Sequence, residues 1–353
     1  MTGLAFTRPR RRGRAVLVAA AVAALAGWGA ATLDSTPPGP SAPQPGPSRW
    51  SLSLEGESEG ALACSSARFC VALSYAVGGV REGALYDGTR WVTEPVRHLL
   101  GTVASVACPG DGHCLAVDSF GAVSTLAGGR WSAPVEVDLP TVQYPEGAST
   151  LSCSSETFCV LVDGLGRAAV YDGGRWSAPT TVDAAFGLTA LSCVAGDRCT
   201  AVDGVGRVLS YSGGEWSAPR PVDRDALAGI SCAAAGSCVA TDLLGRVLSS
   251  AEGRWSAPTP VDPAASPLAI SCPRVGYCIT LDWRGRAYVL AGGRWRAESI
   301  DPLPTPLAPR SAAIACAPGE VGFCAAAIGF GQLGVGTNPF SFTGPVVHAP
   351  SLE

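Results

Sequence analysis

Cysteine, aspartate and tryptophan recur in this 353-residue chain at fixed spacings, and the first two could do chemistry. The 14 cysteines form the pairs Cys64/Cys70, Cys108/Cys114, Cys153/Cys159, Cys193/Cys199, Cys232/Cys238, Cys272/Cys278 and Cys316/Cys324, all CxxxxxC except the last, which is CxxxxxxxC. Paired thiols either hold a soft metal or close disulfides. Structural zinc favours CxxC-type spacing with partner histidines. His98, His113 and His348 follow no such pattern, so the spacing points to disulfides within hairpins.

Four residues after the second cysteine stands Asp118, Asp163, Asp203, Asp242 or Asp282. A glycine follows three residues later, and in four repeats an arginine comes next: Arg167, Arg207, Arg246 and Arg286. Asp-x-x-Gly is turn chemistry, with aspartate accepting backbone hydrogen bonds and glycine taking positive φ. Five further aspartates, Asp138, Asp183, Asp223, Asp262 and Asp301, begin the segments that join one repeat to the next. In an antiparallel sheet these links fall at the same end as the Asp-x-x-Gly turns. That end is therefore a candidate ligand face, with a weak calcium or polyol site as its sharpest reading, because hard cations need clustered carboxylate oxygens. Two such carboxylates could also serve glycoside hydrolysis. Departures from the repeat, Tyr144 and the adjacent Trp283 and Arg284 in the turn DWRG, are candidate ligand contacts. No GxSxG, HExxH, phosphate-loop or haem-attachment motif occurs, so catalytic residues are assigned to none.

The elements that must position these residues follow from the period. Successive cysteine pairs begin 44, 45, 40, 39, 40 and 44 residues apart. Trp131, Trp176, Trp216, Trp255 and Trp295 each lie 17 residues after the second cysteine of their repeat. The segment TALSCVAGDRCTAVDGVGRVLSYSGGEWSAPRPVD divides into four short strands separated by a cysteine loop, a DGVG turn and an SGGE turn. Four strands per repeat, seven times over, predict an all-β chain: a seven-bladed β-propeller of four-stranded antiparallel blades over residues 49–353. A β-solenoid has a shorter coil, and a string of disulfide modules would not keep one four-strand beat. Tyr86, Tyr171 and Tyr211, each five residues before a tryptophan, read as packing aromatics. Ring closure requires a strand from one end of the chain, either around Trp50 or after Phe342, and the amino-terminal strand is the favoured one.

These residues resemble the extracellular seven-bladed β-propellers of GC-rich Gram-positive bacteria, whose repeats read CxxxxxC…VDxxG…GGxWSxP. The stretch SCSSETFCVLVDGLGRAAVYDGGRWSAPTTVD carries the pattern almost unbroken, and the resemblance covers about residues 50 to 348. It implies the fold and an extracellular setting but brings no assigned activity. The absence of lysine among 25 basic residues fits a GC-rich genome.

The compartment is read from the amino terminus. RPRRRGR at 8–14 runs into 17 uncharged residues from Ala15 to Ala31. Residues 1–31 are thus a signal peptide or, if uncleaved, an apolar helix anchoring the chain in the membrane. Residues 32–48 form a proline-rich linker. Beyond the leader, 20 arginines face 29 acidic residues, a net charge of −9 that argues against nucleic acid and anionic lipid as partners. Altogether a secreted or surface-tethered binding or scaffold propeller is expected, at the cell surface or the extracellular face of the cytoplasmic membrane. Its ligand would be a protein or a glycan, with no cofactor beyond the weak calcium possibility, and the chain would be monomeric. A carbohydrate-active enzyme on the same scaffold, or the sensor exterior of an anchored protein, is the alternative.

Overall fold

The computed structural model describes residues 51–52, 61–74, 82–95, 102–137, 150–261, 267–282, 286–298, 312–320, 322–328 and 332–337. The apolar amino-terminal segment and the proline-rich linker lie outside the described residues, as do Tyr144, Trp283 and Arg284. Among the described residues no helix is long and apolar enough to cross a membrane.

Every described sheet is antiparallel, and each cysteine pair belongs to one sheet. The Cys193 blade shows the plan: Leu188–Val194, Arg198–Asp203 and Arg207–Ser212 pair in chain order, and an outer edge follows in two pieces, Glu215–Trp216 and Arg220–Pro221. Six blades are each built from one contiguous stretch of chain. The Cys316 repeat does not complete a blade from its own residues. It supplies three strands, Ala312–Cys316, Phe323–Ile328 and Gln332–Thr337. The fourth is Ser51–Leu52 from the other end of the chain, with Ser51 opposite Val335 and Leu52 opposite Gly334. A strand borrowed from the far terminus joins the two ends of the chain within one sheet.

Burial explains why these sequences adopt this plan. The second strand of each blade is packed on both faces, so it reads as a nearly continuous apolar run instead of an alternating one. All of Phe158–Val162 and all of Tyr277–Asp282 are buried. The outer strands Thr180–Thr181 and Thr259–Pro260 are exposed, and Pro221 and Pro260 stand on these edges, where proline removes no needed ladder donor.

Neighbouring blades bury apolar side chains against one another. Leu115, Val117 and Val123 of the Cys108 blade pack on Leu161 and Ala169 of the Cys153 blade. Val160 and Val162 meet Ala201 and Leu209 of the Cys193 blade. At the composite sheet, Ile314 and Ala326 pack on Ile279 and Val289. On its other face Ala317, Phe323 and Ala325 pack on Ala72, Ala84 and Tyr86 of the Cys64 blade. The first strands touch in succession around the structure, including Ala61–Ser66 against Ala312–Cys316. These contacts close the sheets into a β-propeller with the first strands innermost.

Two aromatic relationships set the outer half of a blade. Tyr86 is directly opposite Trp91, and Tyr211 is opposite Trp216. In each pair, as in Tyr171 and Trp176, the ring centroids are 5.4 Å apart. The five-residue Tyr-to-Trp spacing is therefore the span of a tight hairpin whose two ends bear facing rings.

Candidate functional site

Alternating strand direction gives the propeller two chemically different ends. One carries the cysteine loops and the hairpins between third and outer strands. All fourteen cysteines are paired within their own blades, with Cα separations of 3.9 to 4.1 Å. At this end Gly253 donates its N–H to the carbonyl of Gly236, joining hairpin to cysteine loop. Its hairpin tips are glycine with exposed charge: Arg130, Arg175, Glu215 and Arg254. Asp87 caps one hairpin, accepting from the Thr89 hydroxyl at 2.6 Å and from the N–H groups of Thr89 and Arg90 at 2.9 Å. The Thr89 hydroxyl above all, with the two backbone donors, holds the Asp87 carboxyl down at about 2.

The other end carries the Asp-x-x-Gly turns and the links between blades. The five turn aspartates offered as a candidate ligand face are buried, at 0 to 4% exposure for Asp118, Asp163, Asp203, Asp242 and Asp282. Their carboxylates are engaged by the turn itself. Asp203 Oδ1 accepts from the N–H of Val205 at 3.0 Å and of Arg207 at 2.8 Å, while Oδ2 accepts from Arg207 Nε at 2.5 Å. The same pattern joins Asp163 to Leu165 and Arg167, and Asp242 to Leu244 and Arg246. Asp282 is bound likewise by Arg286, and Asp118 by the N–H groups of Phe120 and Ala122. Turn aspartates in this arrangement have their acceptor capacity filled locally, leaving little for a cation. Among the described residues no group of three or more His, Cys, Asp or Glu side chains could hold a metal ion.

Two of these arginines, Arg207 and Arg246, also reach across to the preceding link. Arg207 Nη2 pairs with Asp183, whose Oδ1 is itself the cap for Ala185 and Phe186. Arg246 Nη2 meets Asp223 at 3.1 Å and Asp225 at 2.7 Å. Burial works against the charge on Arg246, and the Asp242, Asp223 and Asp225 carboxylates outweigh it, so its pKa is raised. Glycine completes the junction: Gly206 has φ of +83°, and its carbonyl accepts from the N–H groups of Val222 and Asp223. A Cβ at Gly206 would lie 2.5 Å from the Asp223 carbonyl oxygen.

Two serine sets escaped the sequence reading. Ser152, Ser192, Ser231 and Ser271, each just before a first cysteine, accept the N–H of Cys193, Cys232, Cys272 and Cys316 in the next blade at 2.9 to 3.0 Å. Ser132, Ser177, Ser217 and Ser256, each just after the blade tryptophan, accept an N–H from the third strand and donate to the following alanine carbonyl. The hydroxyl thus stands in for ladder bonds where the Trp-Ser-Ala-Pro sequence interrupts the outer strand. Both sets were detectable from their own periodicity, since SC and WS recur with the blades.

The described part of the turn end also exposes large apolar side chains. Phe120, Leu165, Leu243 and Leu244 occupy turn tips, and Phe186 lies in a link. Phe186 also lies 4.8 Å beneath the Arg207 guanidinium.

Neither a protein-family model nor a curated protein matches the chain. Solved structures do. YCF48 bound to D1 peptide is similar at a TM-score of 0.61 and 14% identity, over 82% of this chain and 95% of that one. YCF48 from Cyanidioschyzon merolae is similar at 0.56 and 14%, over 84% and 97%. The WD40 β-propeller domain of Doa1 is similar at 0.63 and 11%, over 82% and 97%. At these identities the likeness is one of fold, and the chain shares the propeller scaffold of proteins of the YCF48 and WD40 kinds.

Proposed function

We propose that the chain is a secreted or surface-tethered binding and scaffold module, a seven-bladed propeller of the extracellular kind its repeats resemble, with a protein as its ligand. Seven blades count the composite Cys316 sheet with the six contiguous ones. Disulfides in every blade suit an oxidising compartment, which supports export. The observation that carries the binding reading is the occupation of the repeated polar groups. The turn aspartates, their arginines and the two serine sets are engaged in holding the ring, while the apolar turn tips are exposed and vary from blade to blade. A similar propeller has been solved with a peptide bound, which supports polypeptide over glycan.

Calorimetric titration of the full chain against polypeptide and glycan panels, with and without calcium, tests this. Saturable polypeptide binding without chemical change of the ligand is expected. Turnover of any glycan, lost in Asp163→Ala or Asp203→Ala, would replace the binding reading with a carbohydrate-active enzyme.

A further inference from the structure

Exposed apolar side chains occur singly on any protein surface and need no explanation there. The distribution here is different. Eight large apolar residues are exposed among the described ones, and five of them, at 47 to 62% exposure, lie on the turn end: Phe120, Leu165, Phe186, Leu243 and Leu244. Val275 belongs to a cysteine loop, and Val92 and Val135 to outer strands. Four of the five occupy one or both middle positions of an Asp-x-x-Gly turn, in the Cys108, Cys153 and Cys232 blades. The turn does not demand them. Its geometry is set by aspartate and glycine, and its middle positions accept almost any residue. The hairpin tips at the opposite end have glycine and charge in the corresponding exposed places.

In three of the described turns the aspartate is neutralised by its own arginine beneath the tip, while Arg224 in the link beside Leu243 stays exposed. Asp163 is bound by Arg167, Asp203 by Arg207 and Asp242 by Arg246, and the last two arginines also neutralise link aspartates. A partner bringing charge to these turns would lose hydration and find their carboxylates and guanidinium groups already matched. Insertion into a bilayer surface fits less well. Interfacial apolar groups are ordinarily flanked by cations that meet anionic headgroups, whereas these arginines are held by aspartates and the chain beyond residue 31 is acidic.

Resting on the binding reading above, we infer that the turn end of the propeller, through Phe120, Leu165, Leu243 and Leu244, docks an uncharged apolar segment of a partner polypeptide. The tips act as separate anchors while the Asp-Arg junctions hold their spacing.

The test uses the full chain and labelled synthetic peptides of one length in three series, in which leucine and valine alternate with serine, glutamate or lysine. Fluorescence anisotropy is read for the parent, for the combined F120S, L165S, L243S and L244S variant, and for an R130S, R175S and R254S variant at the other end. The serine series is expected to bind, the turn-end variant to lose about tenfold or more, and the hairpin variant to stay within about twofold. Preference for a charged series, equal binding by the turn-end variant, or no binding by any series would overturn the inference. So would a turn-end variant that alters only phosphatidylcholine vesicle binding or only self-association in sedimentation. If the combined variant melts early, L243S and F120S singly give the same comparison. Peptide binding that moves only with the hairpin variant would sink this surface and leave the binding reading standing; glycan turnover would sink the reading itself.

Discussion

The hydroxyl of Ser192 accepts the backbone N–H of Cys232 across 3.0 Å, joining residues 40 positions apart in adjacent blades. Three more serines repeat the link, so five consecutive first strands are tied in series near the propeller axis. Ser192→Ala leaves a half-buried N–H without its partner and should cost about 1 to 2 kcal/mol. Urea unfolding of the parent and variant measures it. An unchanged midpoint would mean that water replaces the hydroxyl at no cost.

The Arg207 junction should be far more sensitive. One guanidinium serves Asp203, which is fully buried, and Asp183, which is 3% exposed. Removing it in Arg207→Leu leaves two enclosed carboxylates without their cation, at an expected cost of about 3 to 5 kcal/mol. Arg207→Lys should recover only part of this, since a point charge cannot reproduce the fork that reaches both carboxylates. Thermal melts of the two variants separate these outcomes; equal stability of lysine and arginine would remove the bidentate argument.

Gly206 tests the same junction through the backbone. Alanine there would carry a side chain at positive φ and press its Cβ against the Asp223 carbonyl oxygen. Gly206→Ala is expected to cost about 2 kcal/mol or more. Gly214, also at positive φ but with nothing within 4 Å of its Cβ position, should tolerate alanine better. Parallel denaturant curves give the comparison, and equal losses would assign the cost to φ alone.

The Asp87 hairpin makes a pH prediction. Its folded carboxyl sits at about 2, below the usual 3.8, so the stabilisation it gives the turn is complete above the ordinary value and is lost as pH falls through about 2. The amide shifts of Thr89 and Arg90 should titrate near that lower value. In Thr89→Val, which removes the largest contributor, their midpoint should rise toward 3.8. A parent midpoint already near 3.8 would show that these hydrogen bonds do not persist in solution.

Much of this architecture was legible in the sequence because the repeats present the same local solution many times. Cysteine spacing marked each first hairpin, and the Tyr-to-Trp interval marked the outer one. Closure by the amino-terminal strand was favoured from the surplus of outer strands, and Ser51–Leu52 does pair with Gln332–Thr337. The Asp-x-x-Gly spacing named the turns and their backbone bonds, but it places residues at an end of the sheet without saying how deep they sit. Arg207 stands four residues after Asp203, close enough to fold back over it, yet its second partner comes from the preceding blade's link. Both partners recur with the blades, yet their spacing alone does not say that the side chains meet across the junction. Ser192 and Ser217 recur with the blades, but small hydroxyl residues are common in strands and turns, and the period alone does not say which N–H each one accepts.

The central claim is that each repeat is a disulfide-closed hairpin within one ring, so that the repeated residues serve the fold and the turn tips remain for a partner. Peptide mapping of the full chain, produced in an oxidising compartment and kept non-reducing, tests it most directly. The account predicts the bonds Cys64–Cys70, Cys108–Cys114, Cys153–Cys159, Cys193–Cys199, Cys232–Cys238, Cys272–Cys278 and Cys316–Cys324. Free thiols, or any bond between cysteines of different blades, would contradict it.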